Sequence, residues 1–426
     1  MAQWQDSMEY SHLSDVGMRR RNNQDSFGLV LAQDDTIWRA RGHVLMVADG
    51  MGAHAAGELA SKIAVDTVPH LYLKLRDLPP GEALERAILE ANAEVHRRGL
   101  ANPEFHQMGT TSSVLAILPS GAWIAHIGDS RVYRLRGQHL EQLTFDHSLV
   151  WEAKRDNSWP AGIDPSVALP KNVITRSLGP NAQVKVDVEG PFDVEAGDTF
   201  LLCSDGLTGQ VTDDELAPIL AHLPAEEASA LLVDLANLRG GPDNTTVLIA
   251  RILPAWMQRA GAPPARALQG QKQEIHPAVW VGAGVCVLAA LGLLVARQPL
   301  FAVGAAVAGG LIGGIGWLFR GGLPRANAAR SADNHATRAP YTRTPCSNAH
   351  DFVRRLAGIY GDLRGAAKEA AIDFAEYDRL SQQAEAAAKS SQDGQSLRIY
   401  ARCISSMLHE FRTKRRKWGN DSVIDL

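Results

Sequence analysis

Five short acidic motifs in the first 250 residues constrain this chain more than any other feature. They are Arg20-Arg21-Asn22-Asn23-Gln24-Asp25, Val47-Ala48-Asp49-Gly50-Met51-Gly52, Ile127-Gly128-Asp129-Ser130-Arg131, Cys203-Ser204-Asp205-Gly206-Leu207 and Pro242-Asp243-Asn244-Thr245-Thr246. Each aspartate closes an apolar run or sits in the turn after it. A fold that gathers those ends would build a cage of carboxylate oxygens, the donor set that suits hard divalent cations. Paired cations in such a cage activate water for attack on phosphate. One Asp-Gly pair means only a turn; the argument rests on the whole series.

Residues 1–252 read as one folded unit. Val44–Ala48, Ser112–Leu118, Ala122–Ile127, Val132–Arg136, Thr199–Cys203 and Thr246–Ile252 are apolar, β-branched runs bounded by Gly, Asp or Asn, and predict strands. Ala56–Leu75 and Pro80–Arg98 carry helix-period apolar residues. The strands come in hairpin-like runs rather than in strict alternation with helices. That predicts an α+β layered fold with antiparallel sheets.

Residues 253–276 are rich in Ala, Pro, Gly and Gln without a period, which marks a linker. Two apolar stretches follow within 277–320, Ala278 to Ala296 and Leu300 to Phe319, separated by Arg297-Gln298-Pro299. Each meets the need for roughly 20 apolar residues to cross a bilayer, so a transmembrane helical hairpin is expected. Gly282, Gly284, Gly304 and Gly309 would permit close helix packing, and Trp280 and Trp317 sit near the outer ends. Arginine and lysine crowd both outer flanks while only Arg297 lies between. This charge bias places the flanking parts in the cytoplasm, at the inner membrane. Residues 321–347 read as a polar linker, and 348–426 as a small helical C-terminal domain with a turn at Ser391-Gln392-Asp393-Gly394. On that division, a chain ending near residue 252 would be a soluble catalytic part.

A net charge of -4 gives no reason to expect nucleic-acid binding. Cys203, Cys286, Cys346 and Cys403 lie far apart with no metal-ligand spacing, as expected of reduced thiols. No apolar signal segment opens the chain.

In these motifs the sequence resembles the metal-dependent serine/threonine protein phosphatases of the PPM (type 2C) family, in their bacterial form. The resemblance runs over about residues 8 to 252 and includes Met108-Gly109-Thr110-Thr111, Leu143-Thr144-Phe145-Asp146-His147-Ser148 and Ile174-Thr175-Arg176-Ser177-Leu178-Gly179. It implies an antiparallel β-sandwich flanked by helices, with the metal site at one edge. It further implies that Asp49 bridges two Mn²⁺ or Mg²⁺ ions, that the carbonyl of Gly50 ligates one, and that Asp205 and Asp243 complete the second site. Asp129 corresponds to the ligand of a third, weaker ion, shared with Asp205. Asp25 would hydrogen-bond water on the metals, Asn244 would orient Asp243, and Arg20 would bind the substrate phosphate. Phosphoserine and phosphothreonine in cytoplasmic proteins would be hydrolysed by a metal-bridged hydroxide, with a serine/threonine kinase and its substrates as partners. The opposing reading is a silent member that acts as a phospho-signalling scaffold. Asp146 and His147 read as a structural turn, Cys203 as a core thiol, and His54 as either a group behind the metals or a helix-start residue. Met51 stands where some members have a histidine, and Gln24 where some have Glu. The segment from Asp146 to Lys171 matches the family poorly, so substrate preference does not carry over.

Overall fold

The computed structural model describes residues 7–53, 55–155, 164–170, 172–255, 338–346, 349–366 and 373–418. The chain divides into two compact units, one of Met1–Ala262 with Thr337–Leu426 and one of Pro263–Ala336. The second unit, with the expected spans at 277–320, lies outside the described residues, as does His54. Among the described residues no helix is long and apolar enough to cross a membrane.

In chain order the elements are β1 (Met8–Asp15), β2 (Asp25–Val30), α1 (Asp35–Ala40), β3 (His43–Met51), α2 (Ala56–Lys74), α3 (Pro80–Ala101), β4 (Gly109–Thr110), β5 (Ser112–Leu118), β6 (Gly121–Ile127), β7 (Arg131–Arg136) and β8 (His139–Gln142). Then come α4 (Leu149–Arg155), α5 (Pro165–Ala168), β9 (Asp187–Phe192), β10 (Thr199–Cys203), α6 (Asp205–Thr208), α7 (Asp213–His222), α8 (Ala225–Leu238) and β11 (Thr245–Ile252). After the undescribed stretch follow β12 (Thr342–Pro345), α9 (Ala349–Ala366), α10 (Ala375–Lys389) and α11 (Asp393–Trp418). One antiparallel sheet runs β1-β11-β10-β7-β8-β12 and the other β2-β3-β5-β6-β9, with β4 paired to β3.

The period-2 alternation of strand side chains sorts the core into layers. Val44, Met46 and Ala48 of β3 join Ala64, Val68, Leu84 and Ile88 of α2 and α3. Leu45 and Val47, between them, join Phe200, Leu202, Leu248 and Ala250 of the other sheet. On that sheet Leu201, Cys203, Val247 and Ile249 point the other way, to Leu216, Leu220, Leu231 and Leu232 of α7 and α8. The result is helices, sheet, sheet, helices: the antiparallel sheets expected from the strand pattern, in the sandwich that the family resemblance implies. Cys203 is a buried free thiol.

After residue 337 the chain returns to the same compact unit as residues 1–262. β12 pairs antiparallel with β8, Thr342 opposite Gln142, and so covers a sheet edge. Phe352, Leu356, Leu397, Tyr400, Ile404 and Met407 share one buried cluster with α7 and α8. Around it Arg355 donates to Glu215 at 3.0 Å, while Arg398 and Arg402 reach Glu227 at 2.9 and 2.6 Å. The physical cause is the apolar outer face of α7 and α8, which needs a further layer over it. A chain cut near residue 252 would lack that layer.

Candidate active site

Antiparallel pairing brings the acidic motifs to one edge. Asp25, opening β2, stands directly opposite Asp49 near the end of β3. Cys203, closing β10, is paired with both Val247 and Arg131, so Asp205 at the start of α6, and Asp243 and Asp129 in the loops before β11 and β7, lie at that same edge. Strand register therefore gathers carboxylates that are up to 218 positions apart, from Asp25 to Asp243.

The segments that bear these aspartates are held by their neighbours. The Ser204 hydroxyl donates to Asp25 Oδ2 at 2.7 Å and accepts from the Thr246 amide at 3.0 Å. The Asp49 amide donates to Thr111 Oγ1 at 2.8 Å, and Thr110 Oγ1 donates to the Asp49 carbonyl at 3.0 Å. Gly50 cannot carry a side chain: a Cβ there would lie 2.1 Å from the Gly57 carbonyl oxygen and 2.5 Å from that of Gln24. The loop bearing Asp129 is fixed by the Gly128 amide, which donates to His147 Nδ1 at 3.0 Å, while His147 Nε2 donates to Asp187 at 3.1 Å. Arg131 grips Asp146 through Nε and Nη2 at 2.7–3.0 Å. His147 and Asp146 thus do more than shape a turn, although nothing in their residue types alone says so. Ser204 and Thr111 likewise carry no signal in the sequence beyond their place beside the motifs.

Asn244 touches Asp243 through its backbone and the N-terminal loop through its side chain. Its side chain ties the N-terminal loop, donating to the Val16 and Asn22 carbonyls at 2.9 and 3.0 Å and accepting from the Gln24 amide at 2.8 Å. Only its backbone amide reaches Asp243 Oδ1, at 2.9 Å. Arg20 donates to Asp243 Oδ2 at 2.7 Å, both side chains being partly exposed.

The electrostatics are those of an overcrowded anion site. Burial, then the charges of Asp25, Asp205, Asp129 and Asp243, pushes the Asp49 carboxyl well up. Burial, then Asp205 and Asp146, does the same to Asp129. Burial foremost, then Asp243, raises Asp205, which shares a hydrogen bond with Asp49. Burial pushes Asp25 up to about 7, the Ser204 hydrogen bond opposing it. Asp25 Oδ1 and Asp129 Oδ1 are buried and have no hydrogen-bond partner. Among the described residues no three His, Cys, Asp or Glu side chains stand as a ready-closed metal cage; Asp243 is turned to Arg20 and to its own loop. The donor chemistry nonetheless fits hard cations: the set is all oxygen, short of positive charge, and two of its oxygens are unsatisfied.

A cavity of about 370 Å³ opens beside Asp129 and Asp205, lined also by Asp146, Trp151, Lys154 and Asn172.

A family model for protein phosphatase 2C matches residues 18–235. The chain belongs to the protein phosphatase 2C family. It is a bacterial-type PPM serine/threonine protein phosphatase. It is 38% identical over 247 residues to protein phosphatase PhpP of Streptococcus pneumoniae, covering 57% of this chain and 96% of that protein. The solved serine/threonine phosphatase of S. agalactiae is 31% identical, with 57% of this chain and 99% of that one covered and a TM-score of 0.50. The catalytic domain of the phosphatase PstP, solved in complex with two manganese ions, is 33% identical, with 58% and 98% covered and a TM-score of 0.47.

Proposed function

We propose that this chain hydrolyses phosphoserine and phosphothreonine in cytoplasmic proteins, with Mn²⁺ or Mg²⁺ held by Asp49, Asp205, Asp243 and the Gly50 carbonyl, and a third ion by Asp129 with Asp205. The observation that carries the reading is the convergence of five carboxylates on one sheet edge, crowded enough that burial and mutual repulsion raise Asp25, Asp49, Asp129 and Asp205 together. Cations bound there would supply water activation and charge neutralisation on the phosphoryl oxygens. The residues of the chain supply the rest. Arg20 stands half-exposed at the rim, where its guanidinium can leave Asp243 for a substrate phosphate, a better two-oxygen acceptor. Ser204 holds Asp25 in one rotamer at the floor. A silent scaffold would be expected to lack a core carboxylate, and the sequence retains all five.

The apolar runs at 277–320 support anchorage to the inner membrane, with both flanks in the cytoplasm. Substrates would then be phosphoproteins near that membrane, drawn from serine/threonine kinase signalling. A fusion after Leu426 should report a cytoplasmic location; a periplasmic signal would reject the topology.

The activity is tested by phosphate release from a phosphothreonine peptide in Mn²⁺. Excess chelator should abolish it, and Asp49→Asn should lower turnover roughly a hundredfold or more with the fold retained. Full activity in chelator would overturn the metal assignment.

A further inference from the structure

The segment that re-enters the fold at residues 338–345 touches the wall of the active-site cavity through a short chain of rings. Tyr341 lies with its ring 5.5 Å from Phe145, at 61°. Phe145 meets Trp151 edge to face, 5.4 Å apart and at 89°. Trp151 lines the cavity beside Asp129 and Asp205, and Arg131 sits 5.6 Å over its ring. Tyr341 is itself fixed on two sides. Its hydroxyl donates to Glu189 Oε1, and its amide donates to the Gln142 carbonyl at 2.9 Å. The Arg338 and Ala339 amides also donate to Glu189, at 3.2 and 3.0 Å.

A polar route runs beside the aromatic one. Gln142, the β8 residue opposite Thr342, donates its side-chain amide to Asp146 at 2.8 Å. Asp146 in turn holds Arg131. Two independent lines of contact therefore join the returning segment to the cavity wall. Neither line reaches Asp49 or Asp243. Because that cavity adjoins Asp129 and Asp205, a peptide with its phosphate at the carboxylate edge would bring its flanking residues within reach of Trp151, whereas a small aryl phosphate would have no such residues.

We propose that Tyr341 is a positioning residue for the protein substrate: through Phe145 it sets the stance of Trp151, and so the fit of the peptide flanking the phosphate. This rests on the phosphatase reading above. It gives the segment after the apolar runs a part in substrate selection, which the catalytic fold alone would not need.

The test uses the full chain in Mn²⁺ with two substrates, a phosphothreonine peptide and para-nitrophenyl phosphate. Tyr341→Ala should raise KM for the peptide roughly threefold to tenfold, the worth of one aromatic pair, with kcat and aryl phosphate kinetics unchanged. Tyr341→Phe keeps the ring and should restore the peptide KM. Trp151→Ala combined with Tyr341→Ala should cost no more than Trp151→Ala alone, because Tyr341 acts through that ring. Three results would overturn the proposal: an unchanged peptide KM in Tyr341→Ala, an equal loss on both substrates, or full additivity with Trp151→Ala. Loss of aryl phosphate turnover in the unmutated chain would instead strike the phosphatase reading. Should Tyr341→Ala unfold, Phe145→Leu probes the same contact and carries the same expectations.

Discussion

Asp25→Asn should make the chelator-treated protein more stable and should lose that advantage when Mn²⁺ is added. Asp25 is buried, and its carboxyl is pushed up to about 7 from 3.8, first by burial and then by the charges of Asp205 and Asp243, against hydrogen bonds from Ser204 and Thr246. The folded state therefore holds the proton more tightly than the unfolded chain. Such a group's contribution is fully favourable below about pH 4 and is lost as pH rises toward 7. At pH 8 the group is charged in both states and the penalty is complete. Three pKa units at about 1.4 kcal/mol each set it on the order of 4 kcal/mol. Asparagine has the same shape and still accepts from Ser204, so the substitution removes the charge but little else. In a domain of this size each kcal/mol moves the melting temperature by about 2–4 °C, so a rise of several degrees is expected in chelator at pH 8. At pH 5 the gain should shrink, because the native carboxyl is then protonated. Bound cations neutralise the carboxylate and favour the aspartate, so in saturating Mn²⁺ the gain should vanish or reverse. Thermal unfolding at the two pH values, with chelator and with Mn²⁺, gives all four arms. A gain of equal size with and without the cation, or none in chelator at pH 8, would refute the account of this edge as a charge-frustrated cation site.

Phe352 is fully buried in the cluster shared by α7, α8 and the C-terminal helices, so Phe352→Ala should cost about 3–5 kcal/mol and lower hydrogen-exchange protection in α8 and β11 as well as in α9; protection lost in α9 and α11 alone would restore the picture of an independent tail. Arg20→Ala should raise the KM for a phosphopeptide about tenfold, the scale of a charge-assisted phosphate contact, and shift the Mn²⁺ midpoint less than about fivefold, because its ion pair with Asp243 is exposed; a larger effect on the metal midpoint than on KM would reassign Arg20 to the metal ligands.

The catalytic edge is legible because its chemistry is punctuated. Asp49, Asp129 and Asp205 each follow an apolar strand and precede a glycine or serine turn, so a sequence reader sees both the strand and the acid that ends it. What the residue types cannot convey is the pairing. That Ser204 caps Asp25, or that the Asn244 side chain braces the loop from Val16 to Gln24, depends on which strand ends lie side by side. Strands β1, β2, β4, β8, β9 and β12 are not anticipated by the apolar runs. β8 has only four residues, and β1 alternates polar and apolar residues too weakly to stand out.

The C-terminal helices pack against α7 and α8 for a reason that the sequence does contain. An outer helix of a sandwich needs one apolar stripe, about a third to a half of its circumference. In α8, Ala228, Leu231, Leu232, Val233, Leu235 and Ala236 leave almost no polar face, and all six are buried. In α7, every residue from Glu215 to Leu220 is buried. Helices apolar on both sides must be covered on both sides, so something beyond the sandwich had to lie over them. The basic residues of α11 are spaced to meet that need: Arg398 and Arg402, one turn apart, both reach Glu227, and Arg412 reaches Asp234 at 3.3 Å. Polar residues on the C-terminal helices thus pair with the few acids that interrupt the apolar face of α8. Such complementarity is what a packed interface requires, and a tethered, independent domain would have no use for it.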